Sequence, residues 1–219
     1  MTKSSTDAGS PVAGQPPTGS LGRLAVEAVV SADAGRVSAV FASAFLDDPT
    51  WSWAFPDPAM RMRYWQVCVA GALPYRWTFR TAAFEAASIW IPPGRSEFLP
   101  EDEQRLPQLL VELAGARATD VGELMRRFGA AHPNHEPHYY LSLLGTAGEH
   151  RGRGLGMALL RENLARVDSE RMPAYLESSN PLNNHRYAAL GFVPVVAFQA
   201  PGDGPTVTGM WRQRGGKPC

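Results

Sequence analysis

Apolar residues along this chain follow two spacings, short runs of a few residues and repeats every three or four, and the changes between them mark out strands and helices. Leu24 to Val30 predicts a first strand. Val37, Phe41 and Phe45 follow at i, i+4 and i+8, one face of a helix that Ser31 or Asp33 can cap and Asp47-Asp48-Pro49 ends. Ala59 to Leu73 predicts a second helix, and Tyr75 to Ala82 with Ala86 to Ile91 a strand pair turning at Phe84-Glu85, stopped by Pro92-Pro93-Gly94. From Phe98 to about Ala131 the period is helical again: Leu106, Leu109, Leu110 and Leu113 share a face, and Asp120 with Glu123 forms a capping-box-like start for a helix carrying Leu124 and Phe128. Tyr139 to Leu144 is an apolar run that predicts a buried strand, and Met157, Leu160, Leu164 and Val167 mark the face of a later helix.

Between that strand and that helix lies Glu149-His150-Arg151-Gly152-Arg153-Gly154-Leu155-Gly156. Three alternate glycines let a backbone approach a ligand without a Cβ in the way and adopt the positive φ values that gather N–H groups into one concavity. A turn of this kind opening a helix binds anions, because unpaired amides and the positive end of the dipole converge there. Arg151 and Arg153 add positive charge. The spacing departs from a dinucleotide fingerprint, since Met157 stands where its third glycine would fall, and no Gly-Lys-Ser/Thr ends the loop as a triphosphate-binding loop requires.

Arg151-x-x-Gly154-x-Gly156 does match Gln/Arg-x-x-Gly-x-Gly/Ala, and Asn180 followed by Tyr187-x-x-x-Gly191-Phe192 comes behind it in the same order as in one known superfamily. The chain therefore resembles the Gcn5-related N-acetyltransferases, the GNAT superfamily. The wording from Glu136 to Trp211, including Pro173-Ala174-Tyr175-Leu176-Glu177-Ser178-Ser179 and Gly204-Pro205, is most similar to the puromycin N-acetyltransferase-like branch. Upstream the likeness is weaker, carried by Ala87-Ser88-Ile89-Trp90 before Pro92. The resemblance implies an α/β GNAT fold: a mixed central sheet, splayed at the acyl-CoA site and flanked by helices, with a helical insertion between the third and fourth strands. It also implies acetyl-CoA as acetyl donor and cosubstrate, without a metal. The pyrophosphate would sit on Arg151, Gly152, Arg153, Gly154, Leu155 and Gly156, and the pantetheine amides would pair with backbone at Leu144, Gly145 and Thr146, as an added strand does. Gly148 stands where the family often has proline, which loosens the turn without removing an amide.

Length and composition suit a single domain over residues 23–219, since 219 residues with 44% hydrophobic content can bury a core. Met1 to Gly22 is rich in Ser, Gly, Pro and Thr and is expected to be a disordered tail. It has no apolar h-region, and no later segment approaches a membrane span, so a cytoplasmic protein with no membrane partner is expected. Lys+Arg and Asp+Glu balance at 21 each, which gives no reason to expect nucleic acid. Two cysteines, Cys68 and Cys219, suggest neither a disulfide scaffold nor a metal site. A homodimer is left open.

A thioester is already activated, so transfer to an amine requires a neutral nucleophile held near the carbonyl, an oxyanion donor and a proton for the departing thiolate. Cys68 has no recognisable histidine partner, which fits direct attack by the amine. Glu177 is the candidate base; the alternative is a structural carboxylate paired with Arg186 or another basic group. Glu149, beside the phosphates, is a weaker candidate. Tyr187 is the candidate acid, on the resemblance; the alternative is a packed ring with its hydroxyl at the rim. Asn180 can bond cofactor or cap the next helix. Trp51, Trp53 and Phe55, alternating between Pro49 and Pro56, are assigned to an apolar substrate pocket because the matching GNAT loop faces the acceptor, with core packing the alternative. His132, His135 and His138 recur every three residues, but the intervening prolines prevent a helix and no further ligand completes a metal site, so a surface connector is expected. The expected reaction is acetylation of a primary amine on a small molecule. A protein or peptide acceptor is the alternative activity, a silent acyl-CoA-binding module the alternative class, and RNA binding through the isolated Arg-Gly-Arg-Gly the poorest.

Overall fold

A computed structural model describes residues 24–216; the tail expected over Met1 to Gly22 lies outside the described residues. In chain order the elements are β1 (Val26–Ala28), α1 (Ala34–Ala44), α2 (Pro49–Ala54), α3 (Pro58–Ala72), β2 (Thr78–Thr81), β3 (Ala86–Ile91), α4 (Pro100–Ala114) and α5 (Ala118–Ala131). They continue as β4 (Tyr139–Thr146), α6 (Leu155–Ser169), β5 (Ala174–Ser178), α7 (Asn184–Ala188), β6 (Val193–Gln199) and β7 (Thr206–Arg212). One mixed sheet runs in the order β1-β2-β3-β4-β5-β7-β6, parallel between β4 and β5 and antiparallel elsewhere. A parallel pair needs a crossover, and α6 supplies it. The insertion between the third and fourth strands is the pair α4 and α5.

The sheet buries both faces. Phe41, Trp65, Ile89, Leu124 and Leu143 belong to a core that gathers α1 to α5, while Trp90, Leu141, Leu159, Leu160 and Leu176 form a second core under α6. Strand residues alternate between the two, as a period of two dictates, but β4 changes phase. Leu141 opposes Trp90 whereas Leu143 opposes Ile89, so Ser142 is an extra residue, a β-bulge. Tyr139 and Leu141 pack under α6, and beyond the bulge Leu143 packs on the other side. The bulge coincides with a parting of strands: β4 and β5 pair only from Tyr139↔Ala174 to Leu141↔Leu176. Beyond it, the edge of β4 that faces β5 is open from Ser142 to Thr146.

Several boundaries differ from the sequence expectation. β1 is only three residues long, and β2 starts at Thr78, because Leu73–Tyr75 closes a short turn and Arg76 takes a φ of 57°. Asp120 and Glu123 make no capping box; α5 starts earlier, at Ala118, and Glu123 binds Arg126 and Arg127 instead. The aromatic segment matched to a GNAT loop is the helix α2. Asp48 caps it, accepting from the amides of Thr50 at 3.0 Å and Trp51 at 3.1 Å, with Pro49 in the first turn. Helical spacing then separates the three aromatics: Trp51 and Phe55 point into the core, and Phe55 is fully buried, while Trp53 turns toward the Arg117 guanidinium.

Candidate active site

The glycine loop and the open edge of β4 enclose one cavity of about 630 Å³. Gly152 and Gly154 take φ of 78° and 75°, and a Cβ on either would meet nothing within 4 Å, so these positions need glycine for backbone conformation. Gly156 has a different reason: it is the second residue of α6, and a Cβ there would lie 2.6 Å from Thr146 Oγ1. Gly145 likewise would place a Cβ 2.7 Å from the Ala44 Cβ, so it permits close packing of α1 on β4 and does not interrupt the strand. Arg151 reaches back to the end of α1, donating to the Ala44 carbonyl at 2.5 Å. Its charge stays at the cavity wall, with His150, Leu155 and Met157. Arg153 turns toward His150 at 3.1 Å and is not among the lining residues. Asn180 caps the turn Pro181–Asn183, its Oδ1 accepting from the Leu182 amide at 3.0 Å, and borders the cavity as well.

A second cavity of about 680 Å³ lies on the opposite side of the split, under the α4–α5 insertion. Trp51, Tyr64, Phe98, Phe128 and Tyr140 form its aromatic wall, and Arg95, Glu97, His132, His135, Glu136, His138 and Glu177 its ionisable groups. Neither Trp53 nor Phe55 lines it, so of the three aromatics assigned to substrate only Trp51 is there. The two large cavities share no lining residue, but a narrow throat of about 50 Å³ touches both. Phe45, Leu144, Asn183 and Tyr187 connect the throat to the loop side, and Trp51, Phe128, Ser142 and Glu177 to the insertion side. The two residues chosen for proton transfer therefore meet at the junction.

Glu177 lies in β5, opposite the bulge, with only 2% of its side chain exposed. It does not pair with Arg186, which borders the other cavity; the basic group beside it is His132, whose Nδ1 is 3.7 Å from Oε1. No hydrogen bond of good geometry reaches either carboxylate oxygen from the protein. Burial of its hydroxyl, with the Asp48 carboxylate nearby, pushes Tyr187 up to about 12, so it is a protonated donor at neutral pH. Burial raises Asp48 too, although Ser179 donates to it at 2.8 Å. Burial, with some help from Glu177, holds Glu97 at about 7 against the bond from Ser142 Oγ. Cys68 is buried and its thiol is pushed well up by that burial, which removes it as a nucleophile.

Four residues of this site were not assigned to it from the sequence. Glu97 and Ser142 carry no motif, and only the bulge brings them together. His138 was expected on a surface connector but is 8% exposed, and His132 sits against Glu177. The prolines do end the helix, since α5 stops at Ala131, yet the segment behind it folds inward. No group of three or more His, Cys, Asp or Glu among the described residues is arranged to hold a metal.

The sequence model of the acetyltransferase (GNAT) family matches residues 74–192, more than half of the chain. This protein belongs to that family and is an N-acetyltransferase. A structure of histone acetyltransferase HPA2 and related acetyltransferase from Corynebacterium glutamicum is similar at 22% identity, covering 90% of this chain and 97% of that one, with a TM-score of 0.59. Arylalkylamine N-acetyltransferase 2 from Aedes aegypti shares 9% identity over 87% and 98% of the two chains, with a TM-score of 0.62. The polyamine N-acetyltransferase of Drosophila melanogaster shares 15% over 87% and 99%, with a TM-score of 0.57. At these identities the likeness establishes the fold.

Proposed function

We propose that the enzyme transfers the acetyl group of acetyl-CoA to a primary amine of a small molecule, by direct attack in the throat. The observation that carries this reading is the pair of large cavities meeting at a junction lined by Glu177 and Tyr187. The loop side fits the donor: two positive-φ glycines leave room for phosphates at the start of α6, Arg151 supplies charge, and the open edge of β4 offers backbone groups to pantetheine amides. Acetyl-CoA when bound supplies an acyl group already activated as a thioester. Glu177 takes a proton from the acceptor ammonium, Tyr187 holds a proton toward the sulfur end of the throat, and Trp51 and Phe128 keep bulk water from the junction.

The insertion supports a small acceptor over a protein segment. Leu106, Met125 and Phe128 of α4 and α5 wall the second cavity, whose volume is that of a small-molecule site. Glu97, Glu136 and Glu177, against the single arginine Arg95, favour a cation, and the aromatic wall an apolar or aromatic body. Acetyltransferases of arylalkylamines and polyamines among the similar folds are consistent with this choice. None of the described helices is long and apolar enough to cross a membrane. Free-thiol release from acetyl-CoA with a panel of aryl amines, alkyl amines, polyamines and peptide N-termini tests the reading. Turnover with a free amine and none with peptides is expected; preference for peptides would overturn the small-molecule assignment, and CoA binding without turnover would leave a silent module.

A further inference from the structure

The histidine segment behind α5 has a hydrogen-bond order that fixes its protons. His138 Nδ1 lies 2.8 Å from the backbone carbonyl of Glu136, so that nitrogen is the donor. Burial disfavours the charged form of His138, which leaves its Nε2 as an acceptor. His132 Nε2 approaches it at 3.0 Å and must therefore donate. Neutral His132 then carries its free lone pair on Nδ1, the atom 3.7 Å from Glu177 Oε1. A carboxylate facing a lone pair in a buried site is unfavourable, whereas one proton between them satisfies both groups. Imidazole is also the side chain that both accepts and releases protons near neutral pH.

The geometry points to His132 as the proton outlet of the throat, receiving on Nδ1 the proton that Glu177 takes from the acceptor; this rests on the amine-acetylating function proposed above. In the first step an ammonium N–H bond breaks and a Glu177 O–H bond forms. In the second that O–H bond breaks and an Nδ1–H bond forms, restoring the carboxylate and leaving an imidazolium. Water then takes the Nδ1 proton, while Nε2–H stays bonded to His138. His132 is placed for this, since 34% of its side chain is exposed against 2% for Glu177. The groups around it are Glu177 and Tyr175 of β5, Tyr140 of β4, His138 before β4 and Glu97 before α4. Glu97 and Glu177 are the carboxyl groups among them, and neither tyrosine is ionised at neutral pH, since burial raises both.

Two measurements test the outlet. His132→Gln keeps an N–H for His138 but cannot carry the proton. In the full chain, with the best amine of the panel, turnover near pH 7 should fall by about tenfold or more while the KM for acetyl-CoA stays within about twofold, and added imidazole should restore part of the rate. Turnover kept by His132→Gln, or a loss that imidazole does not relieve, would assign His132 a positioning role and overturn the outlet. Independently of any acceptor, the ring resonances of His132 should titrate at lower pH in Glu177→Gln than in the parent, because the facing negative charge is gone. An unchanged midpoint would overturn the coupling. A parent chain inactive toward every amine would instead strike the proposed function, leaving this titration to decide the pair.

Discussion

The cavity beside the glycine loop and the cavity under the insertion are built from different parts of the chain. On the loop side one segment from Leu144 to Met157 dominates, with the positive-φ glycines, the first amides of α6 and the unpaired edge of β4, joined by Ala44 to Asp48 at the end of α1, the turn at Asn180, and Arg186 and Tyr187 of α7. On the insertion side the chain presents side chains from α2, α3, the segment after β3, α4, α5, the histidine segment, β4 and β5. Backbone geometry tolerates few substitutions and reads a ligand shared by a whole family, whereas side chains drawn from many segments can change one at a time. The first arrangement suits a common donor and the second a particular acceptor.

If the contrast holds, the largest effect comes from distorting the backbone side. Gly154→Val forces a β-branched residue into a φ of 75°, with no clash to relieve, and should weaken CoA binding by about 100-fold or more in calorimetry. Affinity within about twofold of the parent would remove the loop from the donor site. Next in size is Glu177→Gln, which keeps shape and removes the base; turnover should drop by about 100-fold with little change in CoA affinity. Tyr187→Phe follows. With the ring kept and the oxygen gone, a loss of about tenfold, ~1.4 kcal/mol of barrier, is expected at constant melting temperature. Unchanged chemistry-limited turnover would return Tyr187 to a packing role.

The smallest effect is one of stability. Glu97 is raised from 4.5 to about 7 on folding, so the folded chain binds the extra proton between those values. Its contribution is intact below pH 4.5 and is lost as pH rises through 7. Glu97→Gln removes that dependence: the melting temperature of the variant should match the parent near about pH 5 and exceed it by a few degrees near about pH 8. A difference that does not vary with pH would mean that Glu97 is charged in the folded state without penalty.

The same contrast explains what the sequence made legible. The loop, Tyr187 and Glu177 stand in or beside contiguous motifs, and the helical insertion announced itself through Leu106, Leu109, Leu110 and Leu113 at helical spacing. Glu97, Ser142, His132 and His138 did not, because their roles depend on a bulge and on a connector folding inward, neither of which leaves a periodic trace. Trp51, Trp53 and Phe55 alternate like an extended segment, and the six residues of α2 are too few for the helical period to show; Asp48 followed by Pro49 was the available signal. The close approach of Gly145 to Ala44 is a tertiary contact that leaves no trace in the sequence pattern.

The narrowness of the throat, about 50 Å³ between cavities that have no wall in common, carries a consequence for kinetics. If donor and acceptor occupy these two cavities as proposed, neither must leave before the other enters, and a dead-end analogue of one should not compete with the other in initial-rate plots. Only a ligand joined through the throat would compete with both, and it would gain the advantage of linkage, since seating one half fixes a high local concentration of the other.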